Sequence, residues 1–222
     1  MEKKRSTVGE RLHWAYANLG MAEMAVNKRS SKYSTLHFMV RAKFYKGLND
    51  GTMSPRTMMK DQKVRMKLPM ECIYCGASEN LAIDHVVPRN GGGTDGGDNA
   101  VWACRSCNSS KSDQDLFEWW SKKRIGMPPL FVIRVYLKQA IEYFTSAARL
   151  EEPWTEATDT PYDLKWIPEE FLAPSELHFT LYHSRRQKEA EQDGGGQPAA
   201  RPQVDMTPLT TTCSPLAERR SR

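Results

Sequence analysis

The chain has 222 residues, 39% hydrophobic and 27% charged, with a formal net charge of +5. No run approaches the ~18 apolar residues a membrane span needs. The basic start MEKKRS lacks the apolar stretch of a secretory leader, because His13, Asn18 and Glu23 interrupt it. The expectation is a cytoplasmic chain of one or two domains, with its cysteines reduced.

The charge is unevenly spread. Residues 1–70 carry +10, 71–115 carry −4, 116–150 carry +4 and 151–222 carry −5. An acidic centre between basic flanks suggests a polyanionic partner held by those flanks.

Taken in chain order, the first element is a helix starting near Thr7, where Thr7 and Glu10 have capping-box spacing. Its apolar positions Val8, Leu12, Ala15, Leu19, Ala22 and Val26 recur close to a helical period. Thr35 is placed to cap a second helix carrying Leu36, Met39, Val40, Phe44 and Leu48, closed by Gly51. Leu36, Phe44 and Leu48 are expected to pack on the central module. Ser54-Pro55 suits the start of a third short helix. Lys60, Lys63, Arg65 and Lys67 follow it, so residues 1–70 read as a basic helical arm for nucleic acid.

The centre reads as a strand over 81–87, a glycine-rich loop over 90–97, a second strand over 99–103 and a helix from Cys107. Residues 113–124 look like the end of a helix, stopped by Gly126 and Pro128-Pro129. An amphipathic helix follows from Pro129 to about Arg149, with Phe131, Val135, Ile141 and Phe144 as its apolar stripe. Residues 151–184 read as an extended packing segment with short helical turns. From 185 the chain has no aromatic residue and is rich in Gly, Pro and Thr, a composition that cannot offset its ordering entropy. The division expected is therefore 1–70, 71–124, 125–184 and a disordered 185–222.

Four of the five cysteines form two CxxC pairs, Cys72/Cys75 and Cys104/Cys107; Cys213 stands alone. Two residues between thiolates let one tight turn aim both at a single ion, and two such turns complete a tetrahedral Cys₄ zinc site. Disulfides are disfavoured in a reducing compartment, and a redox dithiol needs only one pair. Four cysteines leave no open coordination position, so this zinc is structural.

Between the pairs lie Asp84-His85, Pro88, Gly92-Gly93, Asn99 and Asn108-Ser-Ser-Lys111. Over Cys72–Lys111 this pattern resembles the HNH endonuclease family, in a variant with Asn108 at the third signature position. The resemblance, which does not cover the flanks, implies a small ββα-metal module with a zinc clamp; with the N- and C-terminal helices read on either side, the expected fold is α+β, mostly helical. The resemblance also implies metal-dependent hydrolysis of DNA, double-stranded by expectation, with 5′ phosphate and 3′ hydroxyl ends.

The residue chemistry agrees. An imidazole titrates near neutrality, which suits His85 as general base. Asp84 points to the other side of the strand. With Asn108 it offers a hard oxygen set that favours Mg²⁺ or Mn²⁺; Asn108 also suits a helix cap. By resemblance, Asn99 fixes the loop that positions His85. Arg89 and Lys111 are candidates for phosphate contact. The alternatives are a zinc-ribbon nucleic-acid-binding or adaptor protein without cleavage, and an RNA-cutting nuclease. Recognition sequence and oligomeric state have no signature in the chain.

Overall fold

The computed structural model describes residues 5–55, 61–65, 67–123, 126–157 and 159–181. Residues 56–60, the tail from 182 and Cys213 lie outside the described residues.

Helix α1 spans Val8–Asn27. Thr7 caps it: its hydroxyl accepts from the Glu10 amide at 3.2 Å. The Glu10 carboxylate returns to the Ser6 amide at 2.9 Å, one residue earlier than a capping box requires. Val8, Leu12, Ala15, Leu19 and Ala22 are buried, and Val26 is half-buried. Burial also takes in Arg11, His13, Asn18 and Glu23. A helix buried almost all round is core. Residues 8–27 lie between helix α2 (Thr35–Asn49) and the long helix α6 (Leu130–Ser146).

The C-terminal segment also lies against α1. The Val8 and Gly9 amides donate to the Glu152 and Leu150 carbonyls, and Arg11 Nε to the Leu164 carbonyl at 2.8 Å. The other buried polar groups on α1 are partnered too, as burial requires: His13 meets Asn49 of α2 at 2.9 Å, Asn18 meets the Glu169 carbonyl at 3.0 Å, and Glu23 meets Arg134 of α6.

Helix α2 is capped by Ser34, whose amide donates to His37 Nδ1 at 2.9 Å. It closes before Gly51, whose φ of +68° is the left-handed turn glycine allows. It packs on α1, where Asn49 meets His13 and Tyr45 lies edge-on to Trp14, and it buries His37, Gly47 and Leu48. Of the residues expected to pack on the central module, Leu36 is 48% exposed, Phe44 is half-buried and Leu48 is buried. The face carrying His37 and Leu48 is spent on α1, so the rest of the stripe turns outward. A short helix, α3 (Asp61–Arg65), follows.

The centre forms an antiparallel hairpin of β1 (Leu81–His85) and β2 (Ala100–Cys104), then helix α4 (Arg105–Lys111). α4 starts two residues before Cys107, because the Cys104 sulfur caps it, accepting from the Cys107 amide at 3.5 Å. The helix expected over 113–124 is separate from α4. Ser112 takes φ +46°, and buried Asp115 then caps α5 (Leu116–Lys123) by accepting from the Phe117 amide at 2.8 Å.

Leu116, Phe117 and Trp119 join the module to the core, where Tyr74 packs edge-on to Trp119 and Phe117 to Tyr136. α6 begins after Pro129 and buries Phe131, Val135, Ile141 and Phe144 as expected. Beyond it the chain makes 3₁₀ turns at Leu164–Trp166 and Pro174–Glu176. The fold is α+β, with one small sheet. No helix among the described residues is long and apolar enough to cross a membrane.

Candidate functional site

The two CxxC turns come together at one end of the hairpin. All four sulfurs, of Cys72, Cys75, Cys104 and Cys107, lie within 4.8 Å of one another. Sulfurs at the corners of a tetrahedron with ~2.3 Å metal–sulfur bonds sit about 3.8 Å apart, and Cys75 and Cys104 are 3.6 Å apart. The cluster fits a tetrahedral metal. The first turn closes through Gly76, at φ +77°, whose amide donates to the Cys72 carbonyl at 2.7 Å. The Ile73 amide donates to the Trp102 carbonyl at 2.8 Å, tying this turn to β2.

At the other end of β1, Asp84, His85, Arg89 and Asn108 line one cleft of about 210 Å³, with Asn90 and Asp113. Asp84 is 6% exposed. One carboxylate oxygen accepts from the Tyr74 hydroxyl at 2.6 Å, the other from Lys111 Nζ at 3.3 Å. Burial pushes the Tyr74 hydroxyl's pKa well up, and the Asp84 charge adds to that. Asn108, on the first turn of α4, donates from Nδ2 to the Ile83 carbonyl at 3.4 Å. The nitrogen is thus turned to the strand, which leaves the amide oxygen as the group for a cation.

Lys111 corrects the expectation of a phosphate contact. It has no exposed surface. Its ammonium donates to the His85 carbonyl at 2.7 Å as well as to Asp84. Burial pushes its pKa down, with Asp84 pulling the other way. The register explains this: Lys111 lies on the α4 face that covers the Asp84 side of β1. Arg89 does stay exposed, with its guanidinium on Asp95 at 2.9 Å. Arg65, expected on a nucleic-acid surface, is instead turned inward to the Gly97, Asp98 and Ala100 carbonyls.

Asn99 is outside the cleft and fully buried. Its Oδ1 accepts from the Val87 amide at 2.9 Å, while its Nδ2 donates to the Val87 and Thr94 carbonyls at 2.8 Å each. It therefore pins both ends of the glycine loop directly after His85. Gly93 completes the closure: a Cβ there would meet the Val87 oxygen at 2.2 Å.

Two participants escaped the sequence reading. Asp95, in the glycine loop, lies 3.1 Å from His85 Nε2. Tyr74, inside the first CxxC, holds Asp84. An acid in a glycine loop and an aromatic between two ligands carry no signature in one dimension. Only loop closure brings them to the site.

Chemically, the cleft offers an imidazole, a carboxylate, an amide oxygen and a guanidinium within one concavity. That set suits general base chemistry beside a hard cation on an anionic substrate. No curated protein and no solved structure matches the chain. Residues 72–114, which hold both CxxC turns, the hairpin and α4, match the family model of the HNH endonucleases.

Proposed function

We propose that this protein is a metal-dependent HNH endonuclease that hydrolyses DNA phosphodiester bonds. The observation that carries the reading is the convergence of Asp84, His85 and Asn108 on one cleft inside the matched segment. The four cysteines hold a structural zinc. Asp84 and the Asn108 oxygen hold a Mg²⁺- or Mn²⁺-type ion, which supplies charge neutralisation at the phosphate and the leaving oxygen when bound.

His85 acts as the general base. With Nε2–H donating to Asp95, the lone pair sits on Nδ1, which takes the proton of the attacking water. The water oxygen bonds to phosphorus as the bond to the 3′ oxygen breaks, and the departing 3′ oxyanion takes a proton from solvent, leaving 5′ phosphate and 3′ hydroxyl. Asn99 holds the loop that carries Asp95, and Lys111 anchors the end of β1 through the His85 carbonyl. Arg89 is the phosphate contact. Exposed Lys28, Arg29, Lys32, Lys43 and Lys46, at the end of α1 and along α2, supply a basic surface for the duplex.

Digestion of supercoiled plasmid with and without Mg²⁺, with end mapping and an RNA control, tests the reading. Wild-type protein nicks or linearises the plasmid only with the ion, and His85→Ala loses ~10²–10⁴-fold in rate, the usual worth of a general base. Cleavage unaffected by His85→Ala ends the assignment. Cleavage of RNA alone transfers it to the RNA-cutting alternative.

A further inference from the structure

Side chains alternate along the hairpin, so the register sets Ile83 opposite Trp102 and His85 opposite Ala100 on one face. Asp84 faces the other way, toward Tyr74 and Lys111. The His85 face bears two large exposed side chains, Ile83 at 50% and Trp102 at 36%. They border a groove of about 170 Å³, lined also by Leu68, Ile73, Ala100 and Phe131. Ile83 borders both this groove and the cleft that holds His85.

We propose that this groove is a nucleotide subsite, in which the base and sugar next to the scissile phosphate lie against Trp102 and Ile83. The proposal rests on the nuclease reading for its register, because it places the reacting phosphate at His85. Ile83 precedes His85 by two residues, ~7 Å along a strand, within the reach from a phosphate to its own sugar and base. The surface is chemically apt. An indole face beside an aliphatic side chain accepts any base, and such stacking tolerates sequence. Arg65 lines the same groove, with its guanidinium held by the Gly97, Asp98 and Ala100 carbonyls.

Size separates a nucleotide from a protein partner. A groove this small admits one ring system, whereas a stable protein interface buries ~1,200–2,000 Å² in total. Nor does the fold need the Trp102 side chain. The backbone of Trp102 is held by β1 on one side and by the Ile73 amide on the other, while the indole stays outside the buried core. A base in the groove has left its stack, so unpaired, mismatched or nicked positions are favoured, where unstacking costs least.

The test measures binding and cleavage separately, on the full chain. Binding of a labelled single-stranded oligothymidine is followed by anisotropy in a His85→Ala background. Adding Trp102→Ala weakens binding roughly 5- to 150-fold, the range of one base–aromatic stack, and Trp102→Phe restores most of it. In otherwise wild-type protein, Trp102→Ala raises KM by the same factor and leaves kcat nearly unchanged. An abasic nucleotide beside the mapped cut penalises wild type but adds nothing to Trp102→Ala. Unchanged binding and KM in Trp102→Ala, with cleavage intact, overturns the subsite and spares the nuclease reading. Binding that depends on Trp102 in a chain that cuts nothing overturns the nuclease reading and keeps the subsite. A Trp102→Phe variant as weak as Trp102→Ala also overturns the stacking role.

Discussion

Among the described residues, two ion pairs have both side chains buried, and they are built differently. In the helical core, Arg134 of α6 meets Glu23 of α1 through two parallel bonds, Nε at 2.8 Å and NH2 at 2.5 Å, with both side chains almost fully covered. Its remaining nitrogen reaches Asp61 at 3.1 Å, and Lys138 shares that carboxylate. In the central module, Lys111 stands 3.3 Å from Asp84 and gives its shorter bond to a backbone carbonyl. The first is extended by Asp61 and Lys138 into a network between helices. The second borders a cleft, so the Asp84 charge stays within reach of a cation there. The difference separates a charge pair that joins helices from one that holds a chemical group in place.

The two regions also differ in what replaces apolar burial. α1 and α6 contribute a continuous core of Leu, Ala, Tyr and Phe side chains. The hairpin is two strands of five residues, too little to stand alone in water. What holds the module is the cysteine cluster together with Tyr74, Val86, Val87, Val101 and Ala103, which enter the shared core. Removing the metal has the largest expected effect, since structural zinc contributes ~10–16 kcal/mol of apparent binding free energy that is also folding free energy. After chelation, hydrogen exchange shows residues 72–111 losing protection while α1 and α6 keep theirs. Simultaneous loss along α1 and α6 would mean that the regions form one cooperative unit and the distinction fails.

The next effect belongs to the helical pair. Glu23→Ala strands a buried guanidinium with one partial partner, at a cost of ~3–5 kcal/mol. The double variant Glu23→Leu/Arg134→Met recovers most of that loss, because apolar replacement of a buried pair is often neutral. Denaturant melts of the variants check both values. A Glu23→Ala variant as stable as wild type would show that Asp61 alone suffices for Arg134.

Much of this was legible in the sequence, for identifiable reasons. The cysteine cluster and the Asp84, His85, Asn108 cleft lie on local text, where a turn or a strand and its following helix bring side chains together over short separations. α1 was readable from Thr7 and its apolar period, but its place as core was not. Arg11, Asn18 and Glu23 look like a solvated face until residues 134, 164 and 169 arrive from more than a hundred positions away. Lys111 failed for a related reason. A lysine ending a short helix reads as exposed, and only the β1 register shows that its stem crosses to the Asp84 side. The break at Ser112 was hidden because its positive φ belongs to a serine, with no glycine to mark it.

The smallest expected effect is the most discriminating, because it acts on the looser pair. Lys111→Met removes the ammonium from Asp84 and from the His85 carbonyl, but the Tyr74 hydroxyl remains on the carboxylate. One lost partner in a partly satisfied site costs ~1–3 kcal/mol, less than the loss at Glu23. The charge that remains has a second consequence. An Asp84 without its ammonium attracts a divalent cation more strongly, and ligand bound to the native state alone adds stability by mass action. Titrating Mg²⁺ in thermal melts should therefore raise the Tm of Lys111→Met more than that of wild type, and hardly move an Asp84→Asn/Lys111→Met double variant. Equal Mg²⁺ responses in wild type and Lys111→Met would show that the ammonium does not compete with a cation for Asp84. In that case Lys111 would hold Asp84 as fully as Arg134 holds Glu23, and the contrast between the pairs would reduce to distance alone.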